Sequence, residues 1–148
     1  MNSLPKTDDE LATRLRNMHA ALNRIGVFMS PQGNDPSASG QRMFAAHQKS
    51  GTLNDPAAVL RAMHDIPRVF QRANTAWSRG TTHTAKRVVE RWRCAHGIAP
   101  VYVSDGDFTA ALVLLGFKVT WRRGRKPARF CAVVRDDSCA TEPVKPAS

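Results

Sequence analysis

The feature that most constrains the fold is an apolar segment in the second half of the chain, residues 108–115, where almost every side chain is hydrophobic. Ser104 and Asp107 precede it as an aspartate form of the capping box, and Gly116 follows at a position typical of a helix C-terminus. A helix that is apolar on nearly every side is usually buried. With its flanks the run is ten residues long, 108–117, about half of what a membrane span requires. We therefore expect a core helix here.

Composition predicts one soluble globular domain. The chain has 148 residues, of which 42% are hydrophobic and 23% charged, which is ordinary for a single domain. We expect this domain to cover residues 1–134, with a helical half at 7–79 and a second half at 80–134. Residues 135–148 contain Pro143 and Pro146 and few large apolar side chains, so we expect a disordered tail.

The cysteines and the N-terminus indicate a cytoplasmic protein. The three cysteines are an odd number without a Cys-x-x-Cys pair, which favours a reducing compartment over a disulfide framework. The first residues hold no apolar stretch of the kind that a secretory signal needs.

The first helix is predicted from Thr7-x-x-Glu10, which forms a capping box. A narrow apolar seam follows at spacings of four and three, and we expect it to pack within the chain. The alternative is a dimer in which two copies pair as a short coiled coil. The seam consists of Leu11, Leu15, Met18, Leu22 and Ile25.

Turn formers and a proline divide the rest of the first half. Residues 30–40 are rich in proline, glycine, serine and asparagine and predict a loop. A short helix is expected over 41–49 and a longer one after Asp55 and Pro56. Pro67 disfavours helical geometry at Ile66, so we expect a break or a kink there, followed by a second helical piece up to residue 79. The apolar side chains of that piece are Val69, Phe70, Ala73 and Trp77.

The second half predicts two helices and a β-hairpin. Residues 82–96 form an amphipathic helix, ending at Gly97, before the core helix described above. Residues 117–122 and 128–134 alternate with a period of two on either side of Gly124-Arg125-Lys126-Pro127, which indicates a hairpin. The predicted fold class is mainly α with a C-terminal β-hairpin, an α+β protein.

Positive charge is concentrated in this half. The chain holds 22 Lys and Arg against 12 Asp and Glu, a formal net charge of +10. Residues 79–129 hold eleven cations against only three acids, Glu90, Asp105 and Asp107, a net charge of +8. The cations are Arg79, Lys86, Arg87, Arg91, Arg93, Lys118, Arg122, Arg123, Arg125, Lys126 and Arg129.

On the first of these helices Arg87 and Arg91 are four residues apart, a spacing that costs an isolated helix roughly 0.2–0.5 kcal/mol. An anionic partner would offset that repulsion, whereas Lys86 and Glu90 form a compensating pair. The predicted function is therefore nucleic-acid binding without catalysis, to DNA rather than RNA, mainly through phosphate. The expected binding residues are Thr84, Arg87, Arg91, Lys118, Arg122, Arg123, Arg125, Lys126 and Arg129.

Two other interpretations of the charge remain open. Clustered cations can be a solvated face that keeps a protein soluble. They can also dock on an acidic surface of a protein partner, as in a small interaction or inhibitory protein of the phage or plasmid accessory type.

The order helix, turn, helix, hairpin over residues 82–134 resembles a winged helix-turn-helix unit. That resemblance implies that the helix before the hairpin lies in the major groove. This helix carries only Asp105 and Asp107 as charged residues. We therefore expect binding through the basic helix face and the hairpin, with modest sequence preference.

The remaining polar residues match no catalytic or metal motif, and we predict no cofactor and no metal. Helix capping explains Thr81 or Thr82, and the helix dipole explains Asp105 and Asp107. An enzyme would need His83, Glu90 and a cysteine to meet in one cleft. Four possible zinc ligands follow no familiar spacing; they are Cys94, His96, Cys131 and Cys139.

Three tryptophans each lie in an apolar stripe. We expect Trp77, Trp92 and Trp121 to pack in the core. For Trp121 the alternative is stacking on a base, if its face of the hairpin opens outward.

Overall fold

The computed structural model describes residues 3–121 and 128–135. Within those ranges the chain forms five helices and two small antiparallel sheets, which makes it an α+β protein. The elements in chain order are α1 (Asp8–Arg24), β1 (Met29–Ser30), β2 (Gly33–Asn34), α2 (Ala38–Ser50), α3 (Pro56–Val69), β3 (Phe70–Ala76), α4 (Thr82–Ala95), α5 (Asp105–Leu114), β4 (Val119–Thr120) and β5 (Arg129–Val134).

Three predicted helix starts, those of α1, α3 and α5, are confirmed by their caps. The Thr7 hydroxyl accepts from the Glu10 amide at 3.1 Å, and the Ser104 hydroxyl accepts from the Asp107 amide at 3.1 Å. At α3 the Asp55 carboxylate accepts from the amide of Ala57, with Pro56 in the first turn. Each cap satisfies an amide that has no partner inside its helix.

The loop predicted at residues 30–40 is only partly a loop. β1 and β2 form a tight hairpin in which Met29 pairs with Asn34 and Ser30 with Gly33. α2 already begins at Ala38, since the Ser37 hydroxyl caps it by accepting from the Gly40 amide at 3.1 Å. Turn formers in this segment therefore mark short turns between elements.

Of the break or kink predicted at Ile66, the break is wrong. α3 continues through Pro67 to Val69. Pro67 has no backbone N–H, so the last turn of the helix lacks one hydrogen bond. Ile66 and Val69 are fully buried, and the free energy gained by burying their side chains outweighs the loss of that hydrogen bond.

The second helical piece predicted after Pro67 is also wrong, because residues 70–76 form strand β3. β3 pairs with β5, with Phe70 opposite Val134 and Arg72 opposite Ala132. Since β5 also pairs with β4, it lies in the middle of the sheet, and the strand order is β3-β5-β4.

The C-terminal hairpin is confirmed, with shorter strands than predicted. β4 pairs with β5 through Val119 opposite Phe130 and Thr120 opposite Arg129. The segment that joins them, 122–127, and the predicted tail from 136 onward lie outside the described residues.

α5 lies at the centre of the core, as its apolar composition predicted. It packs against α1, α3, α4 and β2, and eight of its ten residues are buried. One hydrophobic cluster combines residues of both predicted halves, from Leu11 of α1 to Ala132 of β5. No helix within the described ranges is long and apolar enough to cross a membrane.

The apolar seam of α1 packs within the chain. Leu11, Leu15, Met18 and Leu22 are buried, and Ile25 alone of the five is exposed. A dimer through this seam would require α1 to leave the core.

Candidate nucleic-acid interface and an adjacent polar cleft

All three carboxylates of the basic segment 79–129 are engaged inside the molecule. Glu90 accepts from the Val103 amide at 3.0 Å and pairs with Lys86 at 3.7 Å. Asp105 lies 3.0 Å from His83 Nδ1 and 3.6 Å from Lys86 Nζ. Asp107 accepts from the Asn54 amide group and from the Asp55 backbone. None of these three acids forms an ion pair with an exposed arginine among the described residues.

Two of the seven cations that the structure describes in this segment are buried and do not contribute to a binding surface. Arg93 is 1% exposed; its Nε donates to Asp65 Oδ2 at 2.6 Å. The Lys86 ammonium lies between Glu90 and Asp105 and 4.8 Å from the centre of the Tyr102 ring. The compensating pair predicted for Lys86 and Glu90 is confirmed. Asp105, from another helix, shares the same ammonium, which the sequence spacing did not indicate.

The outer face of α4 carries three of the predicted binding residues. Arg91 is exposed, and Thr84 and Arg87 are half-buried. A β-carbon at Gly80 would come within 2.6 Å of Thr84 Oγ1, so the backbone before α4 lies directly against Thr84. No ion pair or side-chain hydrogen bond engages Arg87 or Arg91 within residues 3–121 and 128–135.

Arg129 lies on β5, and Lys118 immediately precedes β4. Both are exposed, and Lys118 lines an open groove of about 420 Å³ together with Arg72 of β3. The other predicted binding residues, Arg122, Arg123, Arg125 and Lys126, lie outside the described residues.

Trp121 and Ala128 lie near the start of α4. The amide of Thr82 donates to the carbonyl of Ala128 at 2.8 Å, and Trp121 lines a cleft together with Thr82.

That cleft has a volume of about 280 Å³ and is bounded by four separate parts of the chain. The β1–β2 hairpin, the first turn of α4, α5 and the residue after β4 form its walls. The lining residues are Gln32, Gly33, Asn34, Thr82, His83, Asp105, Thr109 and Trp121.

The hairpin wall of the cleft is packed tightly against α5. The Gly106 amide donates to the Pro31 carbonyl at 3.1 Å, and a β-carbon at Gly106 would lie 2.3 Å from the Ser30 carbonyl oxygen. Only a glycine permits this approach.

The capping role predicted for Thr81 or Thr82 is not observed. Thr81 occupies the N-cap position of α4, but its side chain makes no capping hydrogen bond. Thr82 is the first residue of the helix and is 5% exposed. Thr82 lines the cleft.

A second polar network lies beneath α5. His19 Nε2 is 2.7 Å from Asn54 Oδ1, and Asn54 Nδ2 donates to Asp107 Oδ1 at 2.9 Å. Burial lowers the pKa of His19, and the hydrogen bond to Asn54 raises it by a smaller amount. Burial raises the pKa of Asp107, opposed by its hydrogen bonds from Asn54, Ser104 and Asp55. Sequence reasoning assigned His19 no role.

Among the described residues, the sets named above for an enzyme and for a zinc site are not grouped in one place. Cys94 is exposed and Cys131 is buried, and neither lines the cleft. His96 Nδ1 bonds to the Trp92 carbonyl at 2.8 Å. Within the described ranges no three His, Cys, Asp or Glu side chains form a metal-ligand group, and Cys139 lies outside those ranges.

Two of the three tryptophans pack as predicted. Trp77 is buried against Phe70 and Phe130, with ring centroids 5.3 and 5.7 Å away, and Trp92 is buried on α4. Trp121 is half-buried: it packs partly against the core and also lines the cleft.

These elements define an α+β protein with a cationic helix face and a polar cleft at one end of it. Comparison with protein-family models, with curated proteins and with solved structures gave no significant match.

Proposed function

We propose that this protein binds DNA without catalysis, mainly through its phosphate backbone. The observation that carries the proposal is the unequal engagement of charge in residues 79–129. All three acids there have internal partners, whereas five described cations have no acid partner in the described ranges. Cations that no acid neutralises attract a polyanion and release its counterions on binding. The five are Arg79, Arg87, Arg91, Lys118 and Arg129.

The arrangement of the second half supports the same class of function. From α3 to β5 the order is helix, strand, helix, helix, strand, strand, with β5 between β3 and β4. This order is similar to that of winged helix-turn-helix domains, and β3 contributes the additional sheet strand that such domains have between their first two helices.

The burial of α5 determines how DNA would be contacted. In a winged unit this helix is the one expected in the major groove, but here α1, α3 and β2 pack around it. We therefore expect phosphate contacts from α4 and the hairpin, with little direct reading of base sequence.

The matched pair of variants R87E/R91E and R24E/R42E tests this interface. Both pairs reduce the net charge by the same amount, and Arg24 and Arg42 are exposed on α1 and α2. We expect R87E/R91E to weaken duplex binding at least tenfold and to reduce the salt slope by about two, while R24E/R42E causes only a small loss. Equal effects of the two pairs would contradict the proposed interface, because they would show a response to net charge alone.

The hairpin contribution is tested separately by R122E/R123E/R125E. We expect a large loss of affinity with an unchanged circular dichroism spectrum, since charges at a hairpin connection do not build the core. Retained affinity would contradict a role for these residues. A protein that binds no nucleic acid but captures an acidic protein partner would favour the docking alternative instead.

A further inference from the structure

The cleft at the N-terminal end of α4 contains two hydroxyls that the fold does not use. Thr82 and Thr109 are 5% and 4% exposed, and both line the cleft. Neither side chain has a hydrogen-bond partner among residues 3–121 and 128–135. Neither hydroxyl is among the fully enclosed polar atoms without a partner in the described residues. Two unengaged hydroxyls from different helices therefore border one cleft, where they offer a ligand hydrogen-bond partners.

Two further polar atoms in the cleft walls are also unengaged. Both contacts of Asp105, to His83 and to Lys86, involve Oδ1, so its Oδ2 has no partner among the described residues. His83 contacts Asp105 through Nδ1. Its Nε2 has no hydrogen-bond partner among the described residues. The cleft therefore offers a carboxylate acceptor, an imidazole nitrogen and two hydroxyls.

The chemistry of these walls does not suit a phosphate group. A carboxylate with a free oxygen repels an anion at close range, although Lys86 offsets part of that charge. Trp121 supplies an aromatic wall, and aromatic side chains stack on planar heterocycles. The volume of about 280 Å³ lies at the lower limit of drug-sized pockets, which run from about 300 to 1,000 Å³. It fits one ring system and not a dinucleotide.

We propose that this cleft receives a single unpaired nucleobase of a bound DNA strand, stacked on Trp121 and hydrogen-bonded by Thr82, Thr109 and Asp105. The inference rests on the proposed nucleic-acid binding and adds a site that recognises a base. It also gives the half-buried position of Trp121 a function.

The acceptor on Asp105 predicts which bases fit best. Acidic side chains accept hydrogen bonds from exocyclic amino groups, as at cytosine N4. Thymine has no such group. Cytosine is therefore expected to bind more tightly than thymine at this position.

The test compares a labelled duplex carrying one bulged cytosine with the same duplex fully paired. We expect the bulged duplex to bind at least fivefold more tightly to the wild-type protein. T109V replaces the hydroxyl by a methyl of nearly the same shape. It should reduce the ratio of bulged-duplex to paired-duplex affinity about two- to tenfold. T75V is the matched control, since Thr75 is exposed on β3 and does not line the cleft; it should change nothing.

Variants of Trp121 test the stacking wall. W121F keeps an aromatic face and should retain most of the preference for the bulge, whereas W121A should lose at least fivefold. If W121A fails to fold, the comparison of W121F with T109V still tests the base site, because W121F should keep the preference for the bulge and T109V should reduce it. A preference that survives T109V unchanged would overturn the base site.

The outcomes separate this inference from the proposed function. If both duplexes bind equally well, the base site is wrong and backbone binding stands. If neither duplex binds, both proposals are wrong for DNA. Deoxycytidine monophosphate is the third probe: if it alone binds, with an affinity that T109V reduces, the cleft recognises a free nucleotide and the strand-bound base is overturned.

Discussion

At the scale of single residues, the chain places its ionisable groups in two different environments. Arg93 and Asp65 form a buried pair, and His19 and Asp107 are linked through Asn54 inside the core. Arg87 and Arg91 lie on the surface of α4, half-buried and exposed respectively, without an acid partner among the described residues. The sequence predicted the exposed arginines from helix periodicity, but it did not reveal the buried pairs. Arg93 and Asp65 are 28 residues apart, and no local rule connects them.

Asp65→Asn is expected to destabilise the protein strongly. The change leaves the Arg93 guanidinium buried beside a neutral amide, and removing one partner of a buried pair typically costs about 3–5 kcal/mol. Urea unfolding measures the loss. Asp9→Asn is the control, because Asp9 is exposed in the first turn of α1 and should cost less than about 1 kcal/mol. Similar values for the two variants would contradict the buried pair.

His19 is expected to make stability fall as the pH decreases. Burial lowers its pKa in the folded state from the ordinary value of 6.5. Just below pH 6.5 the unfolded chain therefore binds more protons, and the free energy of unfolding decreases as the pH falls towards the lowered pKa. H19Q keeps a donor for Asn54 and cannot titrate, so its stability should change less between pH 7.5 and 5.5. Identical pH profiles by urea unfolding would contradict this assignment.

Asp107 is expected to act in the opposite direction. Burial raises its pKa above 3.8, so the folded state binds the proton more readily and stability is lost as the pH rises through this range. D107N keeps an oxygen acceptor for Asn54 and removes the buried charge. At pH 7 this variant should be at least as stable as the wild type in urea unfolding. A clear loss of stability would show that the ionised carboxylate is required.

At the scale of elements, α1, α4, α5 and the hairpin were predictable because their signals are local: caps, apolar periodicity and alternation. β3 was not. Phe70 and Trp77 lie at a spacing that also fits a helix, and Phe70 is the one residue of β3 that is buried. The strand exists because β5 pairs with it from more than 50 residues away. The cleft was missed for the same reason, since four distant segments build it.

Gly106→Ala tests the contact between the β1–β2 hairpin and α5. The added β-carbon would lie 2.3 Å from the Ser30 carbonyl oxygen, so the backbones must move apart. Overpacking of this kind costs about 1–3 kcal/mol, against a gain of up to about 1 kcal/mol in helix propensity. We expect a net loss in thermal or urea unfolding. Wild-type stability would show that the hairpin does not pack on α5 as described.

At the scale of the whole molecule, the core and the proposed binding surface are separate. α5 is surrounded by other elements, while the described cations without an acid partner lie on or beside α4 and the sheet. Of the predicted binding residues that the structure describes, Thr84, Arg87 and Arg91 lie on α4, Arg129 lies on β5 and Lys118 immediately precedes β4. The sequence predicted the cationic character of this half because charge can be counted. It did not predict which cations are neutralised, since that depends on tertiary contacts.

The most direct test of the central claim is the salt dependence of binding by the wild-type protein. Fluorescence anisotropy with labelled duplex DNA, single-stranded DNA and RNA, each titrated across salt concentration, measures it. The account predicts binding to duplex DNA with a log–log slope of about −5, which corresponds to five or six phosphate contacts. If none of the three nucleic acids binds at low salt, the cationic surface does not bind nucleic acid and the proposed function is wrong.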